Sequence, residues 1–296
     1  MDPSPRSSSR VVISVCSNKG GVGKTTVSAN LAIYLRALQQ ERPVLLVGLD
    51  DQSVLDRMFR TEAPRPGEGH LKHGWAERSL DRVIRRGRYG VHFVPPPPDT
   101  ALLKARAQDP QILGRILDRT EWDGVVIVDT KSDLEALTLN ALHAADRVLL
   151  PVSDRASLEE AAKVFTILER GRLGTGRARI VLTLVDRRTR VDGTGRDLHE
   201  RLEAEIAQQG WPRYRSFLSR SPRLESLNSA TVNPGSILHH ARGTQVHAQM
   251  RALAEEVMAD VGLEPGPAVR GERARSATTA PRSDLKRTLL RGLREA

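Results

Sequence analysis

The sequence predicts an α/β domain of the doubly wound type: a mostly parallel sheet with helices on both faces. Three observations carry that expectation. Short apolar runs recur along the chain, amphipathic helical segments alternate with them, and a glycine-rich loop joins the first run to the first helix. Runs without polar alternation are what strands covered on both faces require. Strands alternating with helices close into a parallel sheet.

The runs are VVISVC (11–16), PVLLVGLD (43–50), VHFVP (91–95), GVVIVD (124–129), RVLLPV (147–152), RIVLTLVD (179–186) and, less regular, RYRSFL (213–218). Between them, Val27, Leu31, Leu35 and Leu38 fall at spacings of four, four and three, one apolar stripe of a helix. Segments 133–145, 155–170, 197–209 and 244–260 show the same periodicity. Residues 61–78, TEAPRPGEGHLKHGWAER, are rich in Pro, Gly and charge and read as a long surface loop, and PPPP at 95–98 as a stiff connector. The expected organisation is a disordered N-terminus (1–10), one domain (11–263) and a basic flexible tail (264–296) whose DLKRTLLRGLREA end has the pattern of a short helix. No internal repeat is visible.

Aromatic residues make up only 3%, so the core must be built from Val, Leu, Ile and Ala. Cys16 is the only cysteine, which excludes an internal disulfide and any single-chain cysteine cluster for zinc or iron–sulfur. No apolar run approaches the ~20 residues that cross a bilayer, and MDPSPRSSSR lacks the apolar core of a secretory signal. A cytoplasmic chain is the expectation. The net charge is +10, from 46 Lys+Arg against 36 Asp+Glu, which favours polyanions: nucleic acid or an anionic membrane surface. Arginine used generally on solvated faces would give the same excess, and charge alone does not separate the two. Residues 270–296 hold eight Lys/Arg against three Asp/Glu, a net +5, half of the whole excess.

SNKGGVGKTT (17–26) follows the first strand directly and opens the first helix, the context a phosphate-binding loop requires. Gly20, Gly21 and Gly23 let the backbone aim N–H groups at phosphate oxygens, and the helix N-terminus adds its dipole. Lys24 is placed to reach β- and γ-phosphates, and the Thr25 hydroxyl to ligand Mg²⁺. The first glycine of the GxxxxGK[ST] pattern would fall at position 18, where Asn18 stands, and Lys19 follows it. Asp129 ends an apolar strand, where a carboxylate beside such a loop is expected to hold a metal's ligand shell.

KGGVGKTT is the deviant Walker A pattern, and on it and further segments the chain resembles the ParA/MinD family of P-loop ATPases over residues 10–260. The resemblance implies a nucleotide site of Lys19, Gly20, Gly21, Val22, Gly23, Lys24, Thr25 and Thr26, with Mg²⁺ held by Thr25 and Asp129. In the family, the lysine matching Lys19 reaches across an ATP sandwich dimer to the partner subunit's phosphates. VLLVGLDDQS looks like the family's VLLIDLDPQG, so Asp50 matches the residue that orients the attacking water. Its first aspartate is replaced by Gly48 and its proline by Asp51. WDGVVIVDT resembles the Walker B strand, but Lys131 and Ser132 stand where the family usually has two prolines. Asp186, in VLTLVDRRT, matches a position near the adenine. FLSRSPRLESLNSATVNPGSILHHARG resembles the ParA C-terminal segment, with Arg220 and Arg223 at its DNA-contacting positions and Arg242 in the basic stretch that follows.

The implied activity is slow ATP hydrolysis by Lys19, Lys24 and Asp50 with Mg²⁺, accelerated by a ParB-like or other adaptor protein. The ATP-bound dimer would bind double-stranded DNA nonspecifically, on the nucleoid, and position a plasmid, chromosome or protein cargo. Two alternatives stay open: MinD-like membrane recruitment through Leu285, Leu289, Leu290 and Leu293, and a non-hydrolysing switch marked by Gly48 and Lys131. Relatives that carry iron–sulfur clusters need cysteines this chain lacks, and the bacterial tyrosine kinases carry a C-terminal tyrosine cluster, whereas the last tyrosine here is Tyr214.

Overall fold

The computed structural model describes residues 10–50, 54–97, 99–186, 197–228 and 235–266. Asp51 and the leucine-bearing tail segment lie outside them. The strands are β1 (Val11–Val15), β2 (Val44–Gly48), β3 (Arg85–Arg86), β4 (His92–Val94), β5 (Val125–Asp129), β6 (Arg147–Val152), β7 (Ala178–Val185) and β8 (Leu218–Ser219). They form one sheet in the order β3-β4-β2-β5-β1-β6-β7-β8. Every pairing is parallel except β3 with β4.

Adjacent residues of each central strand feed opposite cores. Val12, Leu45 and Val126 pack in one apolar cluster; Ile13, Leu46 and Ile127 pack in the other. Side chains alternate across a strand, so a run that is apolar at every position needs cover on both sides. One face is covered by α1 (Lys24–Leu38), α2 (Val54–Phe59), α9 (Pro222–Asn228), α10 (Ile237–His240) and α11 (Gln245–Asp260). The other is covered by α3 (Leu71–Glu77), α4 (Ala101–Arg106), α5 (Ile112–Arg119), α6 (Ala136–Ala144), α7 (Arg155–Arg170) and α8 (Leu198–Gln208). Both layers of the expected doubly wound fold are therefore present.

Two local expectations are corrected, and one element is added. Residues 61–78 are not loop throughout: Leu71–Glu77 is helical, with Leu71 and Trp75 in the core. Their spacing of four puts them on one helix face, and the His70 side chain caps the start by accepting from the Lys72 N–H. RYRSFL yields only Leu218–Ser219 as a strand, plus an isolated bridge from Arg213 to Ile180. The two-residue edge strand Arg85–Arg86 was not foreseen. It pairs antiparallel with His92 and Phe93, and Arg85 also bonds the Glu68 carboxylate at 3.3 Å.

The parallel strands end on one edge of the sheet, where the loops after β1, β2, β5 and β7 converge. Doubly wound sheets place their ligands there, at the carboxyl ends of strands that diverge to either side. Here β1 is that point, flanked by β5 and β6.

Candidate functional site

The loop from Cys16 to Gly23 turns through two left-handed residues, Gly21 at φ 76° and Gly23 at φ 88°. Only glycine adopts these angles without strain. The end of β7 holds the loop from the side. The Thr183 hydroxyl donates to the Val22 carbonyl at 2.7 Å. A Cβ on Gly23 would lie 3.8 Å from Leu184, itself in the left-handed region at φ 54° within an irregular strand end.

Lys24, the first residue of α1, is buried, and its Nζ donates to the Ser132 hydroxyl at 2.5 Å and to the Lys19 carbonyl at 3.1 Å. Burial pulls its pKa down, and the Asp129 and Asp50 carboxylates act in the opposite direction. The hydroxyl of the next residue, Thr25, donates to Asp129 Oδ2 and that of Ser28, one turn after Lys24, to Asp129 Oδ1, each at 2.8 Å. Asp129 is fully enclosed, and burial pushes its pKa up to about 6 despite those two hydroxyls and Lys24. Ser28 was not foreseen as a site residue; its only sequence signal is its place three residues after Thr25, on the same helix face.

Asp50 follows β2 and lines an open cleft of about 380 Å³ together with Gly20, Lys24, Thr25, Asn30 and Ser132. Its Oδ1 lies 3.9 Å from Lys131 Nζ. Gly48 pairs in register with Asp129, and a Cβ there would meet Leu55 of α2 at 2.9 Å. Leu55 thus occupies the space beside Gly48. Asn30 accepts from the Ile237 N–H at 2.8 Å and ties α1 to α10 behind the cleft.

Lys19 is placed apart from the cleft lining. Its Nζ contacts Asp154 Oδ2 at 2.6 Å, and the neighbouring Asn18 side chain donates to Glu160 at 2.5 Å. Asp186 directly follows β7 and is also absent from the cleft lining; its charge bears on Arg220. The three arginines are exposed and locally engaged. Arg220 pairs with Glu225 at 2.8 Å. Arg223 donates to the His240 carbonyl at 2.6 and 3.0 Å, and Arg242 to the Leu238 carbonyl at 3.2 Å, so the last two meet at the end of α10.

One carboxylate beside one threonine hydroxyl suits a hard cation that takes its remaining ligands from water and phosphate, as Mg²⁺ does. Among the described residues, no group of three or more His, Cys, Asp or Glu is placed to hold a metal unaided. Nor is any of their helices long and apolar enough to cross a membrane.

An AAA-domain family model matches residues 10–170. The chromosome-partitioning ATPase Soj of Thermus thermophilus is 34% identical over 255 residues, 84% of this chain and 96% of Soj. A plasmid partition protein of Borrelia burgdorferi solved with AMPPNP superposes with a TM-score of 0.67 at 18% identity, covering 85% of this chain and all of that one. The septum site-determining protein MinD of Pyrococcus horikoshii, solved with Mg-ADP, gives 0.63 at 22% identity over 84% and 96%. Those two establish the fold. With the family match spanning more than half of the sequence and Soj aligned along nearly its full length, the chain belongs to the Soj/ParA family of P-loop ATPases.

Proposed function

We propose that this chain hydrolyses ATP with Mg²⁺, dimerises around the nucleotide, binds DNA nonspecifically in that form and is stimulated by an adaptor protein to position a cargo. The observation that carries the reading is the convergence of Lys24, Thr25 and Asp50 on one cleft, with the buried Asp129 directly behind Thr25 and Ser28. Phosphoryl transfer to water needs positioning and charge neutralisation more than covalent chemistry, and these residues supply both. Lys24 and the loop N–H groups would hold the β- and γ-phosphates. Thr25 and Asp129 would hold Mg²⁺, which when bound neutralises charge on the β- and γ-oxygens. Asp50 would orient the attacking water. Lys19 would leave Asp154 to reach the partner subunit's nucleotide.

Membership in a family of positioning ATPases supports the coarse activity. DNA binding is supported by the exposed Arg220, Arg223 and Arg242 in the C-terminal segment and by the +10 net charge. A ParB-like activator is inferred because no arginine or glutamine stands out in the sequence as an intrinsic finger.

The test is ATP turnover and binding in three proteins. Wild type should hydrolyse ATP slowly and only with Mg²⁺, Lys24→Ala should bind no nucleotide, and Asp50→Ala should bind ATP but turn it over far more slowly. Unchanged turnover in Asp50→Ala would remove its assigned role. Nucleotide binding without hydrolysis in the wild type, with or without candidate adaptors, would instead support the non-hydrolysing switch.

A further inference from the structure

One lysine lines the cleft and a second stands beside it, next to the lining residues Asp50 and Ser132, and they come from different loops. Lys24 belongs to the glycine-rich loop. Lys131 belongs to the loop after β5, next to Ser132, whose hydroxyl accepts from Lys24 at 2.5 Å. Lys131 Nζ points back to Asp50, 3.9 Å from Oδ1, with the two side chains 35% and 16% exposed. A Cβ on Gly20 would lie 3.9 Å from the Ser132 hydroxyl, so Ser132 lies against the glycine-rich turn.

That geometry has a consequence for an anion seated on Lys24. A terminal phosphate held there would enter the space bounded by Lys24, Ser132 and Asp50, within reach of the flexible Lys131 stem. Asp50 and the phosphate would then compete for one ammonium group. A doubly charged phosphate oxygen cluster outbids a single carboxylate at equal distance, because the Coulomb attraction scales with charge. ADP, whose last phosphate stops one position short, offers no such competitor.

We infer that Lys131 is a specificity-determining residue that senses the γ-phosphate: it stays on Asp50 with ADP and transfers to the terminal phosphate with ATP. The inference rests on the ATPase reading above and adds a discriminator that acts within one chain, before any second subunit is engaged. The transfer also releases the Asp50 carboxylate to contact water.

The experiment measures Mg²⁺-dependent affinities of the full chain for AMPPNP and for ADP by calorimetry. Lys131→Ala should weaken AMPPNP about ten-fold or more, the effect of one charge-assisted contact, and change ADP less than two-fold. Lys131→Arg should restore most of the AMPPNP affinity. Asp50→Asn, which removes the competitor, should tighten AMPPNP several-fold relative to ADP, and that gain should vanish when combined with Lys131→Ala. Equal weakening of both nucleotides in Lys131→Ala would mark a structural role, and an unchanged AMPPNP-to-ADP ratio would mark none; either overturns the inference while leaving the ATPase reading standing. Failure of the wild type to bind either nucleotide would overturn both.

Discussion

Lys19 and Asp154 form a direct ion pair within one chain, Nζ to Oδ2 at 2.6 Å, although 135 positions separate them in sequence. Asp154 also caps α7, its other oxygen accepting from the Ser157 N–H at 2.8 Å. Burial alone raises the pKa of this carboxyl, but hydrogen bonds from Lys19 and Ser157 outweigh it and hold the group below its ordinary value. A lysine that is to act on a partner subunit must first give up this contact.

Asp154→Asn separates the two roles of that carboxylate. The amide oxygen still caps the helix, while the charge that retains Lys19 is gone. Partly exposed ion pairs are worth up to about 1 kcal/mol, and a dimer breaks one in each subunit, so ATP-dependent dimerisation should shift to roughly two- to thirty-fold lower protein concentration. Light scattering in the Asp50→Ala background reads this directly. Lys19→Ala should abolish the dimer, and weaker association in Asp154→Asn would show that the pair supports the dimer-competent loop rather than restraining it.

Asp129 is held in the wrong ionisation environment for stability. Its pKa of about 6 exceeds the ordinary 3.8 because burial penalises the charge. Between those pH values the native state binds the proton more tightly than the unfolded chain, so stability falls as pH rises through the window and the cost is complete above about pH 6. Asp129→Asn should therefore melt at a higher temperature than wild type at pH 7 in EDTA, by the equivalent of about 1–3 kcal/mol. The gap should close toward pH 4. The same variant should lose the stabilisation that Mg²⁺ and nucleotide give the wild type. A variant less stable than wild type at pH 7 would mean that attraction between Asp129 and Lys24 outweighs the burial cost.

The strands were legible because burial on both faces leaves a mark in the sequence itself: VVIVD and VLLVG carry no polar residue before their ends. The glycine-rich turn was legible because backbone geometry restricts residue type at Gly21 and Gly23. The contact between Ser132 and Lys24, and Asp154, were not, since each matters through a partner more than 100 residues away. Composition misled at 61–78, where the Pro and Gly of the first half obscured the Leu71–Trp75 pair that anchors α3. Gly48 was visible as a departure, but only the structure shows that the tip of Leu55 occupies the space beside it.

Gly124 locks the start of β5, though nothing in the sequence singles it out. Its carbonyl accepts from Val11 at 3.0 Å, and the next N–H, of Val125, donates to the Pro43 carbonyl at 2.9 Å. A Cβ on Gly124 would sit 2.2 Å from that same carbonyl oxygen and within 3.0 Å of the Pro43 ring. Backbone and a proline ring cannot swing aside as a side chain can. Gly124→Ala should cost about 3 kcal/mol or more, at the upper end of overpacking effects. Gly48→Ala, which meets only the flexible tip of Leu55, should cost under about 1.5 kcal/mol. Urea denaturation of the pair tests the contrast, and equal losses would show that β5 shifts to accommodate the methyl.

DNA binding has a quantitative signature that separates it from general basicity. Arg220, Arg223 and Arg242 are exposed, and each is held by local contacts, Arg220 to Glu225 and the other two to carbonyls at α10. Arginines fixed in this way are suited to backbone phosphates, which position a protein on DNA without reading its sequence. Binding by the ATP form should fall log-linearly with salt, at a slope near 0.9 per phosphate neutralised. Changing Arg220 and Arg223 together to alanine should lower that slope by about 1.8 per chain and weaken binding equally on unrelated duplexes. Nucleotide affinity should be unchanged, because neither residue lines the cleft. Measurement on the full chain and on a chain ending at Gly262 separates these arginines from the +5 tail. If the shortened protein with ATP ignores DNA, and the full chain instead sediments with anionic vesicles, the basic surface serves a membrane and the DNA reading is lost.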